Sequence, residues 1–266
     1  MKYESFERNH VIVPGRKDAL EKFLDQDYGN LKGHKRKHST NSHSEDALTW
    51  SCFDVLRNLS GTAMIDALNE IVEDSYEGKA GFSFSTTEQI VIHIGKTYTG
   101  VKTGEKTEVD ASIETPKRLI FFEAKLFSPL SLADEAEGKS YDQIARKLRV
   151  GMDCRQKREF YFIFLDIAPR QKLYRNEGKP RAESSKKHGF DGKWKSAWWF
   201  SYYQRGHRGS LTPLQKIMKG IDDVESDKVE SIKTIAQRMG WLTWSDLYKS
   251  VLRGLVSSTG FTAKNG

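Results

Sequence analysis

The chain has 266 residues, 37% of them hydrophobic, which permits one large domain or a core domain with an elaborated end. Its 43 Lys and Arg outweigh 36 Asp and Glu for a net charge of +7, a modest basic excess compatible with nucleic acid but shared by many unrelated proteins. No apolar run reaches transmembrane length, Met1–Arg8 holds no apolar signal-peptide region, and Cys52 and Cys154 form no metal-ligand spacing, so a cytoplasmic protein with reduced thiols is expected.

Residues 1–41 read as a polar, irregular segment with a short helix at Lys17–Leu24. Within it, Lys35, Arg36 and Lys37 lie between two histidines in a stretch with no apolar period. They read either as an arm on DNA phosphates or as a solvated loop. Ser42 opens a helix, and Ser42-x-x-Glu45 has the form of a capping box, which would by itself explain Glu45. Leu48, Cys52, Val55, Leu56 and Leu59 follow at helical spacing. A second helix is predicted over Thr62–Tyr76 and carries Glu70 and Glu73. Residues 89–95 alternate enough to make a first strand, in which His93 reads as a packed or half-exposed side chain, because no second histidine stands at metal spacing. Gly100 and Gly104 mark the turn that follows.

Two adjacent strands are predicted next, Thr107–Ile113 and Leu119–Phe127. Alternation puts Glu123 and Lys125 on one side of the second strand, and Glu108, Asp110, Ser112 and Glu114 together on one side of the first. If the strands pair, two carboxylates and an ammonium share a face. Glu-x-Lys occurs four times in the chain, but only Glu123-Ala124-Lys125 follows four apolar residues; the other three have glycine in the middle and read as loops. Charges that end a buried strand are unusual unless paired or liganding a metal. Two hard oxygen anions suit Mg²⁺, and a lysine beside it can orient or deprotonate a water, the parts needed for phosphodiester hydrolysis. A salt-bridged strand end is the plainer alternative for the doublet alone; Asp110 on the preceding strand tips the reading toward the metal site.

A helix near Ser140–Val150 follows, with Tyr141, Ile144, Ala145 and Leu148 as its apolar face and Gln143, Arg146 and Lys147 on the other side. An ordinary solvated face accounts for Lys147 and Arg149, whereas Gln143, being neutral, is the better candidate for substrate contact. Residues 160–167 are almost continuously apolar, as in a strand buried on both faces. Residues 169–193 read as a long exposed loop. The aromatic cluster from Trp194 to Tyr203 reads as core, and the adjoining Arg205, His207 and Arg208 as DNA-contact candidates. Helices around Lys228–Met239 and Ser245–Leu255, separated by Gly240-Trp241-Leu242, end the pattern.

Glu108-Val109-Asp110, Phe122-Glu123-Ala124-Lys125 and the helix Tyr141–Leu148 together resemble the PD-(D/E)xK nuclease superfamily, over roughly residues 42–168. Val109 stands where that family carries proline. Ser44–Trp50, Tyr141–Arg146 and Phe164–Pro169 are similar to a bacterial restriction or defence branch of it. The resemblance implies an α/β fold: a restriction-endonuclease-like core with a central mixed β-sheet flanked by helices, elaborated by residues 1–41 and 169–266. It implies an Mg²⁺-dependent endodeoxyribonuclease (Mn²⁺ substituting) acting on double-stranded DNA, with a homodimer as one arrangement. Asp110 and Glu123 would be metal ligands and Lys125 the catalytic lysine. The family's helical glutamate would be Glu45, with Glu70 and Glu73 as rivals. Gln143, Arg146, Lys35, Arg36, Lys37, Arg205, His207 and Arg208 would contact nucleic acid. A structure-specific repair nuclease or junction resolvase, and a non-catalytic DNA-binding module on the same fold, are the alternatives.

Overall fold

A computed structural model describes residues 10–26, 33–39, 44–126, 141–166 and 212–260. The order of elements is α1 (Lys17–Leu24), α2 (His34–Ser39), α3 (Glu45–Asn58), α4 (Gly61–Tyr76), β1 (Val91–Thr99), β2 (Lys106–Glu114), β3 (Arg118–Ala124), α5 (Gln143–Cys154), β4 (Glu159–Asp166), α6 (Thr212–Met218), α7 (Val229–Gln237), β5 (Met239–Thr243) and α8 (Trp244–Ser258). The chain is α/β, with one mixed five-stranded sheet in the order β1-β2-β3-β4-β5 flanked by helices.

The sheet changes character at β3. The first three strands pair antiparallel, and β3, β4 and β5 pair parallel. A parallel neighbour cannot be reached by a tight turn, so α5 lies in the connection between β3 and β4. The apolar runs Leu119–Phe122 and Phe160–Leu165 follow from this layout: both strands are buried on both faces. On one side of the sheet Phe121, Phe162 and Phe164 pack with α5, α6 and α7. On the other, Ile120, Phe122 and Ile163 pack with α3, α4 and α8.

Several sequence expectations change here. α3 begins at Glu45 with Ser44 as its N-cap, the Ser44 hydroxyl accepting from the Ala47 N–H at 3.3 Å. Ser42 lies outside the described residues, and the capping-box role for Glu45 falls away. His34–Ser39, expected to be irregular, is helical. Gly240-Trp241-Leu242, expected to separate two helices, lies within the fifth strand, Met239–Thr243, so the sheet draws on residues beyond 42–168. A five-residue strand with two tryptophan-flanked positions carries too little alternation to be told from a helix connection.

Tyr76, at the end of α4, holds β5 in place. Its hydroxyl donates toward the carbonyls of Phe162 (3.2 Å) and Arg238 (2.9 Å), at the point where β4 meets the start of β5. The ring lies so close to β5 that a Cβ on Gly240 would stand 2.7 Å from Tyr76 Cζ. Gly240→Ala is therefore expected to cost about 1–3 kcal/mol of stability, read as a lower urea midpoint; an unchanged midpoint would show that Tyr76 does not clamp β5.

Candidate active site

Sheet pairing sets the geometry of the site. β2 and β3 pair through Ala111↔Phe122, which leaves Asp110 and Glu123 as the next facing residues. The β1–β2 ladder also passes over Asp110: Ile94 pairs with Ala111 and Lys96 with Val109, but Gly95 and Asp110 between them do not pair. Gly95 has φ +63°, and a side chain there would meet Phe23 at 2.8 Å. Face alternation breaks at this point. Ala111 packs on the α3–α4 side and Val109 on the α5 side. The consequence is that Glu108 turns away from Ser112 and Glu114, against the simple alternation expected above. Such irregularities re-aim a side chain, and here the Asp110 carboxylate takes over a ladder bond: its Oδ2 accepts the Ala124 N–H at 2.6 Å.

Glu123 is 0% exposed. A buried carboxylate must be compensated, and two lysines do this. Lys147 of α5 reaches Glu123 Oε2 in a short contact and lies 3.4 Å from Asp110 Oδ1. Two oxygens that each lie within 3.4 Å of one nitrogen are no more than twice that distance apart. Lys125 Nζ lies 3.0 Å from Glu123 Oε1 and 3.1 Å from Glu45 Oε1. Glu123 Oε1 nevertheless accepts no directed hydrogen bond, so its pairing with Lys125 is one of charge proximity alone. Glu45 also accepts the Leu126 N–H at 2.6 Å. The Lys125 backbone is fixed as well, its N–H on the Leu165 carbonyl (2.7 Å) and its carbonyl on the Trp244 indole (3.1 Å). The result is a row of alternating charges: Asp110, Lys147, Glu123, Lys125, Glu45.

More carboxylates surround this row. Glu108 is paired with Lys35 at 2.5 Å, and that buried ammonium lies 4.7 Å from the centre of the Phe23 ring. Asp46, next to Glu45, has its pKa pushed up to about 6, first by burial and then by the negative charge of Asp110, with Glu45 and Glu108 adding to it against Lys35. Glu45, Asp46, Glu108, Asp110 and Glu123 are five carboxylates against the three ammonium groups of Lys35, Lys125 and Lys147.

The donor chemistry fits a hard divalent cation. Asp110 and Glu123 offer oxygen ligands, Glu123 Oε1 is a buried acceptor without a hydrogen bond, and the negative surplus lowers the cost of bringing in a dication. Among the described residues no group of three or more His, Cys, Asp or Glu is arranged to hold a metal, so the set is limited to two carboxylates, which Mg²⁺ accepts when waters complete its shell. Comparison with protein-family models, curated proteins and solved structures finds no match to the chain.

The candidates sort clearly. Asp110, Glu123, Lys125 and Glu45 come together. Glu70 pairs with Arg253 and Lys249 of α8, and Glu73 is exposed, so neither rival reaches the site. Lys35 is corrected: it is 1% exposed and bound to Glu108, and its ammonium is not offered to DNA. Arg36 is exposed but engaged by Asp25 at 2.6 Å, and Lys37 is exposed. Gln143 and Arg146 are half-buried at the start of α5. Arg205, His207 and Arg208 lie outside the described residues, as does the aromatic cluster before them. His93 is half-buried on β1, as expected of a strand side chain; it lies 3.2 Å from Glu114, and burial, then the nearby Lys96, lower its pKa.

The residue missed is Lys147, assigned to a solvated face with Arg149. Lys147 is 2% exposed. Arg149 pairs with Glu105 and donates to the carbonyls of Ile217 and Lys219. The signal for Lys147 was present: it stands three residues after Ile144, four before Gly151 and seven before Cys154, all buried on α5.

The Asp46 shift carries a pH signature. A carboxyl group whose folded pKa exceeds its unfolded value of 3.8 destabilises the fold as pH rises, and the cost is complete above about 6. Asp46→Asn is expected to stabilise the metal-free protein by about 1–3 kcal/mol at pH 8 and hardly at pH 4. Urea titrations in EDTA at both pH values check this; equal effects at the two would contradict it.

Proposed function

We propose that the chain is an Mg²⁺-dependent endodeoxyribonuclease with a restriction-endonuclease-like core. The observation that carries this reading is the convergence of Asp110, Glu123, Lys125 and Glu45, from β2, β3, the residues just after β3, and the N-terminus of α3. The PD-(D/E)xK resemblance supports it further. That pattern rests on sequence spacing, which by itself does not require the side chains to meet.

In this reading Asp110 and Glu123 would hold the ion. Mg²⁺ supplies Lewis-acid polarisation of the phosphate and a more acidic bound water. The chain's own residues do the rest. Lys125, held between Glu123 and Glu45, positions the water that adds to phosphorus as the P–O bond to the leaving oxygen breaks. Glu45 fixes the Lys125 ammonium and anchors the backbone at Leu126. The carboxyl ends of β3 and β4, beside which this row lies, are where open α/β sheets usually bind ligands.

One observation favours a second reading. Lys147 already pairs with both Asp110 and Glu123, as it would in a DNA-binding module whose carboxylates are structural. Plasmid and linear DNA, incubated with Mg²⁺, Mn²⁺ or EDTA, separate the two. Metal-dependent cleavage is expected, abolished by Asp110→Asn and reduced about 10²–10⁴-fold by Lys125→Ala. DNA binding without metal-dependent cleavage, or cleavage that survives both substitutions, would overturn the nuclease assignment. Branched substrates in the same assay test for a junction-resolving role.

A further inference from the structure

We propose that Lys147 is the resident counter-cation of this site, occupying the position between Asp110 and Glu123 until a divalent cation displaces it. The inference rests on the metal-dependent reading above and adds how the site is kept and switched.

Glu123 lies wholly inside the protein, where a lone carboxylate is costly. Lys147 comes from the opposite layer, α5, and its ammonium meets one oxygen of each proposed ligand, Oδ1 of Asp110 and Oε2 of Glu123. Those are the lone pairs a metal would need. An ammonium and a dication cannot both take them, because like charges a few ångströms apart in a dry site repel strongly. The remaining carboxylate oxygens are differently placed: Asp110 Oδ2 is committed to the Ala124 N–H, and Glu123 Oε1 faces Lys125. A cation shared by Asp110 Oδ1 and Glu123 Oε2 therefore competes with Lys147.

The lysine side chain suits the role. Its four-carbon stem lets the charged end move while the part nearest the helix stays on the buried face of α5 that also carries Ile144 and Gly151. In the metal-free state it keeps Asp110 and Glu123 drawn together. Once displaced, its ammonium becomes available to an incoming anion. The arrangement also sets a cost: intrinsic metal affinity is held down by the energy of removing the lysine.

Two measurements without turnover test this. In the wild-type protein, a brief pulse of acetic anhydride followed by peptide mass spectrometry reads lysine accessibility, with exposed Lys219 as the reference. Lys147 is expected to be protected in EDTA and labelled in Mn²⁺, relative to Lys219. In parallel, calorimetry measures Mn²⁺ binding to wild type, Lys147→Gln, Lys147→Met and Asp110→Asn. Both lysine variants are expected to bind Mn²⁺ about tenfold or more tightly than wild type, and Asp110→Asn is expected to lose binding. Asp110-dependent Mn²⁺ binding with Lys147 protected throughout would overturn the displacement and leave the metal site standing. Lysine variants that bind no more tightly than wild type would do the same. No Mn²⁺ binding by any of the folded proteins would overturn both the displacement and the metal-dependent function. If the lysine variants do not fold, the wild-type labelling alone decides.

Discussion

A carboxylate buried at the end of an apolar strand governs the architecture around it. Glu123 has no exposure to solvent, and leaving such a charge unpaired costs several kcal/mol. The fold supplies two ammonium groups from different directions: Lys125 from two residues further along the same chain, and Lys147 from the helix that makes the parallel crossover. The rotation of α5 about its axis is therefore tied to Glu123. A turn that took Lys147 out of the buried stripe would strand the carboxylate in the core. The start of α3 is tied to the same place, because Glu45 both pairs with Lys125 and accepts the Leu126 N–H.

The same constraint explains the irregular spot in the sheet. Between β1 and β2 the ladder passes over Gly95 and Asp110, and the faces of β2 switch there. A regular strand would keep Val109 and Ala111 on one side. Instead Asp110 reaches a backbone N–H of β3 with one oxygen and Lys147 with the other. Glycine is required at Gly95 for two independent reasons, a left-handed backbone and the closeness of Phe23. N-terminal elements belong to this arrangement too. Lys35 of α2 closes the Glu108 side, so part of the basic segment serves as an internal counter-charge to the acidic cluster.

Much of this was legible in the sequence. The chain order of α3, α4, the first three strands, α5 and β4 follows from periodicity, and Glu123-Ala124-Lys125 stood out because an apolar run preceded it. Pairing of β2 with β3, which the spacing allows but does not require, makes Asp110 its neighbour. Three things were hidden for physical reasons. β5 is too short to show its period, and its place depends on Tyr76 and β4, both distant in sequence. The start of α3 at Glu45 depends on which of two nearby serines caps it, and it is Ser44 whose hydroxyl takes the Ala47 N–H. Lys147 and Lys35 look like solvated or surface charges in the sequence because lysine is rarely buried. Both are buried here because carboxylates wait for them, and a one-dimensional reading weighs each charge without its partner.

The proposed site is one in which Asp110 and Glu123 bind a divalent cation and a lysine keeps them closed until it arrives. A crystal structure of the protein soaked with Mn²⁺, with data collected at the manganese absorption edge, tests it most directly. The account predicts one anomalous peak bonded to oxygens of Asp110 and Glu123 at about 2.1–2.3 Å, with the Lys147 ammonium moved out from between them. No peak at that position, with Lys147 still touching both carboxylates at saturating Mn²⁺, would contradict it.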